Sequence, residues 1–190
     1  MRARLQRPTA LHELDQLPSP DSRPPGAGCR AYLDIETSFE GGITIIGIYG
    51  ADRGMIQLVG GDVTDAGLVR ALEGVDTLCT YNGDRFDLPV IRRRLGVDLR
   101  EVCRPHDLMR DCWRVGLKGG LKRVEAQIGI ARQTQGVNGY AAMRLWARYR
   151  NDGDRHALET LLLYNREDVL NLALLDAFLE PYRNVHARRL

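Results

Sequence analysis

The hydrophobic pattern becomes regular near residue 30, where apolar and polar positions begin to alternate. The run from Ala31 to Glu36 has the short, alternating pattern of a strand that carries carboxylates on one face. A β-branched run at 43–49 predicts a second strand, and the turn residues at 52–54 predict a hairpin into a third strand at 55–59. These three consecutive strands predict an antiparallel meander.

Beyond residue 60 the spacing of apolar residues changes from two to three or four. Helices are predicted over 64–73 and 88–95, and strands over 75–81 and 101–107. Four further helices are predicted over 108–115, 121–128, 139–150 and 155–179. This order predicts an α/β domain with a mixed sheet of about five strands, the first three antiparallel, and helices on both faces.

Proline divides the chain into two predicted parts. Residues 1–28 contain five of the eight prolines, which excludes a continuous helix or a central strand there. We therefore expect an extended arm or linker over 1–28 and one folded domain over 29–190.

Composition narrows the class of protein only a little. The chain has 190 residues, of which 44% are hydrophobic and 27% charged, as in ordinary globular domains. A net charge of +2 neither announces a nucleic-acid-binding protein nor excludes a local basic groove. The four cysteines form no CxxC pair, so we expect reduced thiols in a cytoplasmic protein rather than a zinc site. No apolar run is long enough to span a bilayer, and no membrane association is expected.

The first candidate for chemistry is the pair Asp34 and Glu36. Two residues apart on a strand, their side chains point to one side, about 7 Å apart along the backbone. Buried together, they would need a compensating cation, and a hard divalent ion with oxygen ligands meets that need. A solvated pair at a sheet edge is the alternative.

The second candidate is the stretch from Tyr81 to Pro89, which joins a predicted strand to a predicted helix. Ligands of open α/β sheets bind at such junctions. Asp87 stands just ahead of the helix, where it could simply be a cap, and Asp84 competes for the same role. Asn82 has the character of a turn residue, and Phe86 is expected to anchor the junction in the core.

The third candidate is the pair Tyr164 and Asp168 on the long final helix. Four residues apart, they share one face, near the apolar side of the helix. A tyrosine hydroxyl one turn from a carboxylate can position a water molecule. An amphipathic helix with boundary polar residues is the plainer interpretation of this pair alone.

Taken together, carboxylates from a first strand, a strand-to-helix turn and a late helix can converge on two metal ions. Such ions clamp the attacking and leaving oxygens of a phosphodiester. The runs Asp34-Ile35-Glu36, Asn82 to Asp87 and Tyr164 to Asp168 resemble, in this order, the three exonuclease motifs of the DnaQ-like (DEDD) superfamily, tyrosine type. Over residues 30–180 the chain looks closest to the YprB-like predicted exonucleases of the ribonuclease-H-like fold.

This resemblance implies a function and a set of roles. Asp34, Glu36, Asp87 and Asp168 would bind two Mg²⁺ or Mn²⁺ ions, and Tyr164 would orient the attacking water. The implied reaction is 3′–5′ exonucleolytic hydrolysis of single-stranded DNA or RNA. An endonuclease of the same fold and an inactive nucleic-acid-binding module are the alternatives.

Substrate contacts are expected from two further groups of residues. By the resemblance, Asn82 and Phe86 would lie at the substrate. Basic side chains around Gly119-Gly120 are expected to contact phosphates, although solvated helix faces explain each of them equally well. These side chains are Lys118, Lys122 and Arg123. Trp113 and Trp146 are predicted to be core anchors rather than base-stacking residues.

Overall fold

The computed structural model describes residues 28–187, with side chains as far as residue 183. The arm predicted for residues 1–28 therefore lies, except for Gly28, outside the described residues. Along the described part of the chain, no helix combines the length and the apolar character that crossing a membrane requires.

Five strands form one mixed sheet, as the sequence predicts. They are β1 Arg30–Thr37, β2 Ile43–Gly50, β3 Gly54–Val59, β4 Thr77–Thr80 and β5 Arg104–Asp107. Their order across the sheet is β3-β2-β1-β4-β5. The first three strands are antiparallel, whereas β4 runs parallel to β1 and β5 parallel to β4. β1 is thus central, with a hairpin strand on one side and a crossover strand on the other.

Within residues 28–187, seven α-helices pack around the sheet, besides a short 3-10 helix at Gly60–Asp62. They are α1 Asp65–Ala71, α2 Asp87–Leu95, α3 Leu99–Val102, α4 Leu108–Arg114, α5 Leu121–Ile128, α6 Gly139–Asp152 and α7 Arg155–Ala187. Two predicted boundaries are wrong by three residues or more: α7 continues to Ala187 instead of ending at residue 179, and β5 begins at Arg104, because residues 101 and 102 belong to α3 and not to a strand. The side chain of Asp98 caps α3 by accepting a hydrogen bond from the Arg100 backbone N–H at 3.1 Å, which favours a helical turn there.

The alternation along β1 assigns its two faces to two different sets of helices. Ala31, Leu33 and Ile35 are buried in a core shared with α1, α2 and α3. Tyr32 faces the opposite side, where α4, α5 and α7 form a second core. Since Asp34 and Glu36 continue the phase of Tyr32, both carboxylates lie on the face that α7 covers.

Two aromatic residues predicted for the core are exposed. Trp146 is buried, but Trp113 is 48% and Phe86 45% exposed. In α4 the inward positions are those of Leu108, Asp111 and Cys112, so that Trp113 turns outward. Phe86 precedes the buried Asp87, which takes the inward position at the start of α2.

Candidate active site

Three of the four predicted carboxylates meet on the face of β1 that α7 covers. One oxygen each from Asp34, Glu36 and Asp168 lies within 4.8 Å of the other two. Two of these residues come from the central strand and the third from a helix more than 130 residues later. With Phe86, Tyr164 and other neighbours they line a cavity of about 300 Å³.

The convergence depends on a close approach of α7 to the sheet. Asn165 is fully buried, and its amide donates to the backbone oxygen of Asp34 at 3.3 Å and to Asp34 Oδ2 at 3.2 Å. Gln57 on β3 donates in turn to Asn165 Oδ1 at 3.0 Å. Gly47 leaves the room for this contact, because a Cβ there would overlap Asn165 and lie 2.8 Å from Val169. Asn165 therefore fixes Asp34 against α7, the helix that supplies Asp168.

Asp87, the fourth predicted carboxylate, lies beside this group. It is not one of the three residues whose oxygens lie within 4.8 Å of one another. It is buried, and its Oδ1 accepts a hydrogen bond from the Ile35 backbone N–H at 3.3 Å. Asp87 is the first residue of α2 and not its cap. Asp84, the competing aspartate, forms ion pairs with Arg100 and Arg110 instead. The structure thus places Asp87, and not Asp84, against β1.

The site carries more negative charge than its surroundings compensate. Burial, followed by the neighbouring Asp168, raises the pKa of both Asp34 and Glu36 well above the usual range. Burial also raises the pKa of Asp87 to about 7. Glu36 Oε1 is buried and has no hydrogen-bond partner among the described residues. Such groups of perturbed, incompletely satisfied carboxylates are typical of functional sites.

The aromatic and basic candidates separate into two groups. Lys122 is half-buried; its ammonium donates to the Tyr164 hydroxyl and lies 4.1 Å from the centre of the Tyr164 ring. Burial lowers the pKa of Lys122. Lys118 and Arg123 are exposed at the surface, so the structure brings only Lys122 of the three to the carboxylates.

Asn82 has a clear backbone role. Its φ of 62° is left-handed, and its N–H donates to Asp107 Oδ1 at 2.8 Å. The same aspartate caps α4 through the Met109 N–H at 3.0 Å. Asn82 is therefore the turn residue that the sequence offered as one interpretation, while a contact of its side chain with substrate stays a prediction.

Two residues near the carboxylates were missed by the sequence analysis. The guanidinium of Arg132 donates to Asp168 Oδ1, and it also binds Glu125 in bidentate fashion at 2.5 and 2.7 Å. Arg132 follows α5 in an irregular loop, and nothing in its local sequence marks it. Glu125 could have been found, because it shares the buried face of α5 with Val124 and Ile128 and a lone charge there needs a partner.

Comparisons with known proteins identify the superfamily to which this fold belongs. A family model described as RNase H superfamily, RNase_H_2, matches residues 31–179. The chain belongs to the RNase H superfamily. It is also similar to the family B DNA polymerase from the hyperthermophilic archaeon Pyrobaculum calidifontis, with a TM-score of 0.59 and 21% sequence identity. That match covers 78% of this chain and 24% of the polymerase, so it is a likeness of fold over about a quarter of the larger protein. No curated protein matches the chain significantly.

Membership of the RNase H superfamily indicates a nuclease, that is, a hydrolase whose substrate is nucleic acid. RNase H-like nucleases generally use divalent metal ions. The donor set of this RNase H-like chain fits such ions, because all three clustered ligands are carboxylates and hard divalent cations prefer oxygen. The buried oxygen of Glu36 that has no hydrogen-bond partner among the described residues is a second observation that fits a divalent cation at this site.

Proposed function

We propose that the chain is a metal-dependent 3′–5′ exonuclease of the DEDD type, tyrosine branch and YprB-like family, which hydrolyses single-stranded DNA or RNA. The observation that carries the proposal is the meeting of Asp34, Glu36 and Asp168 within 4.8 Å. Tyr164 stands one helical turn from Asp168 and lines the same cavity. We further propose that residues 29–190 form the catalytic domain.

The carboxylates have unequal roles in this proposal. Asp34, Glu36 and Asp168 would hold Mg²⁺ or Mn²⁺, and Asp87 would complete the site for the second of two ions. Bound ions would supply the positive charge that activates water and stabilises the leaving 3′ oxygen. Asn165 keeps Asp34 oriented through two hydrogen bonds, so that its position does not depend on a bound ion.

Lys122 determines how Tyr164 can act. An ammonium group only donates hydrogen bonds, so the Tyr164 oxygen is the acceptor in their contact. The phenolic proton is then free to be donated to the attacking water or to a phosphate oxygen. Tyr164→Phe would remove this donor and keep every carboxylate. We expect cleavage to slow by up to about 100-fold, less than on loss of a metal ligand.

The substrate would enter over the exposed side of the cavity. Phe86 lines the cavity and is 45% exposed, which leaves its ring available to an unpaired base. Lys118 and Arg123 would contact the phosphate backbone further along the strand. These contacts are sequence-independent, in keeping with an enzyme that degrades ends without base specificity.

The decisive experiment is digestion of 5′-labelled single strands, DNA and RNA in parallel, with Mn²⁺ present. We expect a ladder that shortens from the 3′ end and releases mononucleotides, with no product from Asp168→Ala. Cleavage of a circular strand would show an endonuclease instead. Binding of an intact strand at ample enzyme and metal would show an inactive module, and either result would overturn the proposal.

A further inference from the structure

We infer that Arg132 is a positioning residue of the proposed nuclease site: its guanidinium holds the Asp168 carboxylate in the orientation that receives a divalent cation. The inference rests on the proposed function, because it assigns Arg132 a task toward the metal ions of that site. It rests equally on contacts that the sequence motifs do not contain.

The first argument is the geometry of the guanidinium. The side chain of Arg132 is only 9% exposed. Its Nε and Nη2 donate to the two oxygens of Glu125 at 2.5 and 2.7 Å, and Nη2 also donates to Asp168 Oδ1. A planar fork can span two carboxylates in this way, whereas an ammonium group cannot. Arg132 thus connects Asp168 to α5.

The second argument is that Glu125, the other partner of the guanidinium, is itself held in place. Glu125 is 1% exposed and also accepts a hydrogen bond from Asn171 on α7 at 3.0 Å. Since Asn171 lies one turn beyond Asp168, both ends of the bridge are set by the same helix. The guanidinium therefore has little freedom to move away from Asp168.

The third argument concerns the loop that carries Arg132. Glu167, the neighbour of Asp168, accepts hydrogen bonds from the backbone N–H groups of Gln133 and Thr134 at 2.6 and 3.0 Å, and from the Thr134 hydroxyl. One turn of α7 therefore supplies both the carboxylate and the anchor for the loop. This arrangement sets the distance between Arg132 and Asp168 independently of any ion.

The consequence lies in the two oxygens of Asp168. Arg132 occupies Oδ1, and Oδ2 has no hydrogen-bond partner within the described part of the chain. A carboxylate held by one oxygen presents the other in a fixed direction, and one oxygen of Asp168 lies within 4.8 Å of an oxygen of Asp34 and of Glu36. Partners that orient a metal ligand in this way typically contribute 10- to 100-fold in metal affinity or activity.

A second arginine provides a matched control. Arg183 bridges Asp111, at 2.7 Å, and Asp176, just as Arg132 bridges Glu125 and Asp168. It lines a different cavity, together with His106 and Leu179, and none of the three clustered carboxylates lines that cavity. Arg183→Met removes a bridging guanidinium of the same kind without touching the proposed site.

The test compares Mn²⁺ binding, from the electron paramagnetic resonance signal of free Mn²⁺, in the wild type, Arg132→Lys, Glu125→Gln and Arg183→Met. Arg132→Lys keeps the buried charge and loses the fork. We expect its Mn²⁺ affinity to fall 10- to 100-fold, with cleavage at saturating Mn²⁺ recovering to within a few-fold. Glu125→Gln should weaken binding less, and Arg183→Met should bind as the wild type does, whatever its melting temperature.

Each outcome has a distinct meaning. Unchanged Mn²⁺ affinity in Arg132→Lys would overturn the inference and leave the proposed function standing. Tighter binding would also overturn it, because Arg132 would then be a competing counter-ion. If the wild type itself binds no Mn²⁺, the metal-dependent function fails. If Arg132→Lys does not fold, Glu125→Gln decides, since unchanged affinity there has the same meaning.

Discussion

Two groups of buried or half-buried carboxylates lie on the α7 side of the sheet, and they differ in how their charge is compensated. In the first, Asp34, Glu36 and Asp168 gather at the proposed site. In the second group, Asp111 on α4 and Asp176 on α7 each accept hydrogen bonds from three side chains. Asp111 accepts from His106, Arg114 and Arg183, and Asp176 accepts from Arg30, Tyr32 and Arg183.

The difference appears in the pKa of Asp111 compared with the pKa values of Asp34 and Glu36. Burial alone would raise the pKa of Asp111, but hydrogen bonds from Arg183 and His106 hold it below its usual value. Burial and like charge raise the pKa of Asp34 and Glu36, since too few donors face them. Burial acts in the same direction on all three carboxyl groups, and the number of hydrogen-bond donors decides whether the pKa is raised or lowered. The second group, Asp111 and Asp176, has enough hydrogen-bond donors and stabilises the fold; we call it the saturated group. The first group, Asp34, Glu36 and Asp168, has too few donors and can accept a cation; we call it the unsaturated group.

The largest expected effect separates activity from stability at the unsaturated group. Asp34→Asn should reduce cleavage at least about 1000-fold, because a ligand of the proposed ions loses its charge. The same change should raise the melting temperature of the metal-free protein, since it relieves repulsion within the cluster. Cleavage assays and thermal melts on one preparation check both. A fall in melting temperature would show that the carboxylates are structurally compensated after all.

The saturated group should respond in the opposite way. Asp176→Asn would leave the half-buried Arg30 and Arg183 without their counter-ion, and we expect a loss of about 1.5–3 kcal/mol in the free energy of unfolding. Cleavage per folded molecule should stay near the wild-type rate. Urea denaturation measures the loss, with Asp84→Asn as a control at a partly exposed ion pair. A stability change as small as that of Asp84→Asn would contradict the comparison.

The pH dependence of stability should follow the unsaturated group. Because the folded-state pKa values of Asp34, Glu36 and Asp87 are raised, the folded protein holds protons that the unfolded chain has already released. Stability of the metal-free protein should therefore fall as pH rises from 5 to 8, by about 3 kcal/mol for Asp87 alone.

Thermal melts with and without Mn²⁺ provide the check. The ion should restore most of the lost stability at pH 8, where the carboxylates are charged, and Asp87→Asn should flatten the metal-free curve. Asp111, with its lowered pKa, contributes only below this range. A metal-free melting temperature that rises from pH 5 to 8 would be incompatible with the electrostatic account.

The smallest effect concerns the approach of α7 to the sheet. Gly47→Ala would push against Asn165 and Val169, and we expect a loss of about 1–3 kcal/mol in stability. Cleavage should fall with it, because Asn165 orients Asp34. Gly61→Ala is the matched control, since nothing lies within 4 Å of a Cβ at Gly61. Equal behaviour of the two variants would show that the close approach has no role in the site.

Local pattern was sufficient to predict most of the fold. Alternation predicted the meander of β1, β2 and β3, and helical spacing predicted α5 and the start of α7, although α7 continues eight residues beyond its predicted end. The strand at β5 was predicted three residues too long, because the cap at Asp98 outweighs the short apolar run. Phe86 and Trp113 were assigned to the core by residue type, although the phase of their helices turns them outward.

The candidate site was predictable where it consists of motif residues and not where it consists of their partners. Asp34, Glu36 and Asp168 meet as expected, because strand alternation and helical phase are visible in sequence. Arg132 comes from an irregular loop, and its contact with Asp168 exists only after α5 and α7 have packed. The room that Gly47 leaves for Asn165 is equally a property of packing, with no local signal.

The run from Tyr164 to Asp168 has one further consequence. Tyr164 contacts Lys122, Asn165 holds Asp34, and Glu167 and Asp168 hold the loop and guanidinium of Arg132. Successive helix positions differ by about 100° around the axis. A one-residue insertion or deletion upstream in α7 would therefore rotate all of these contacts out of place at once. A substitution removes one of these contacts, whereas a change in the length of α7 would remove all of them together.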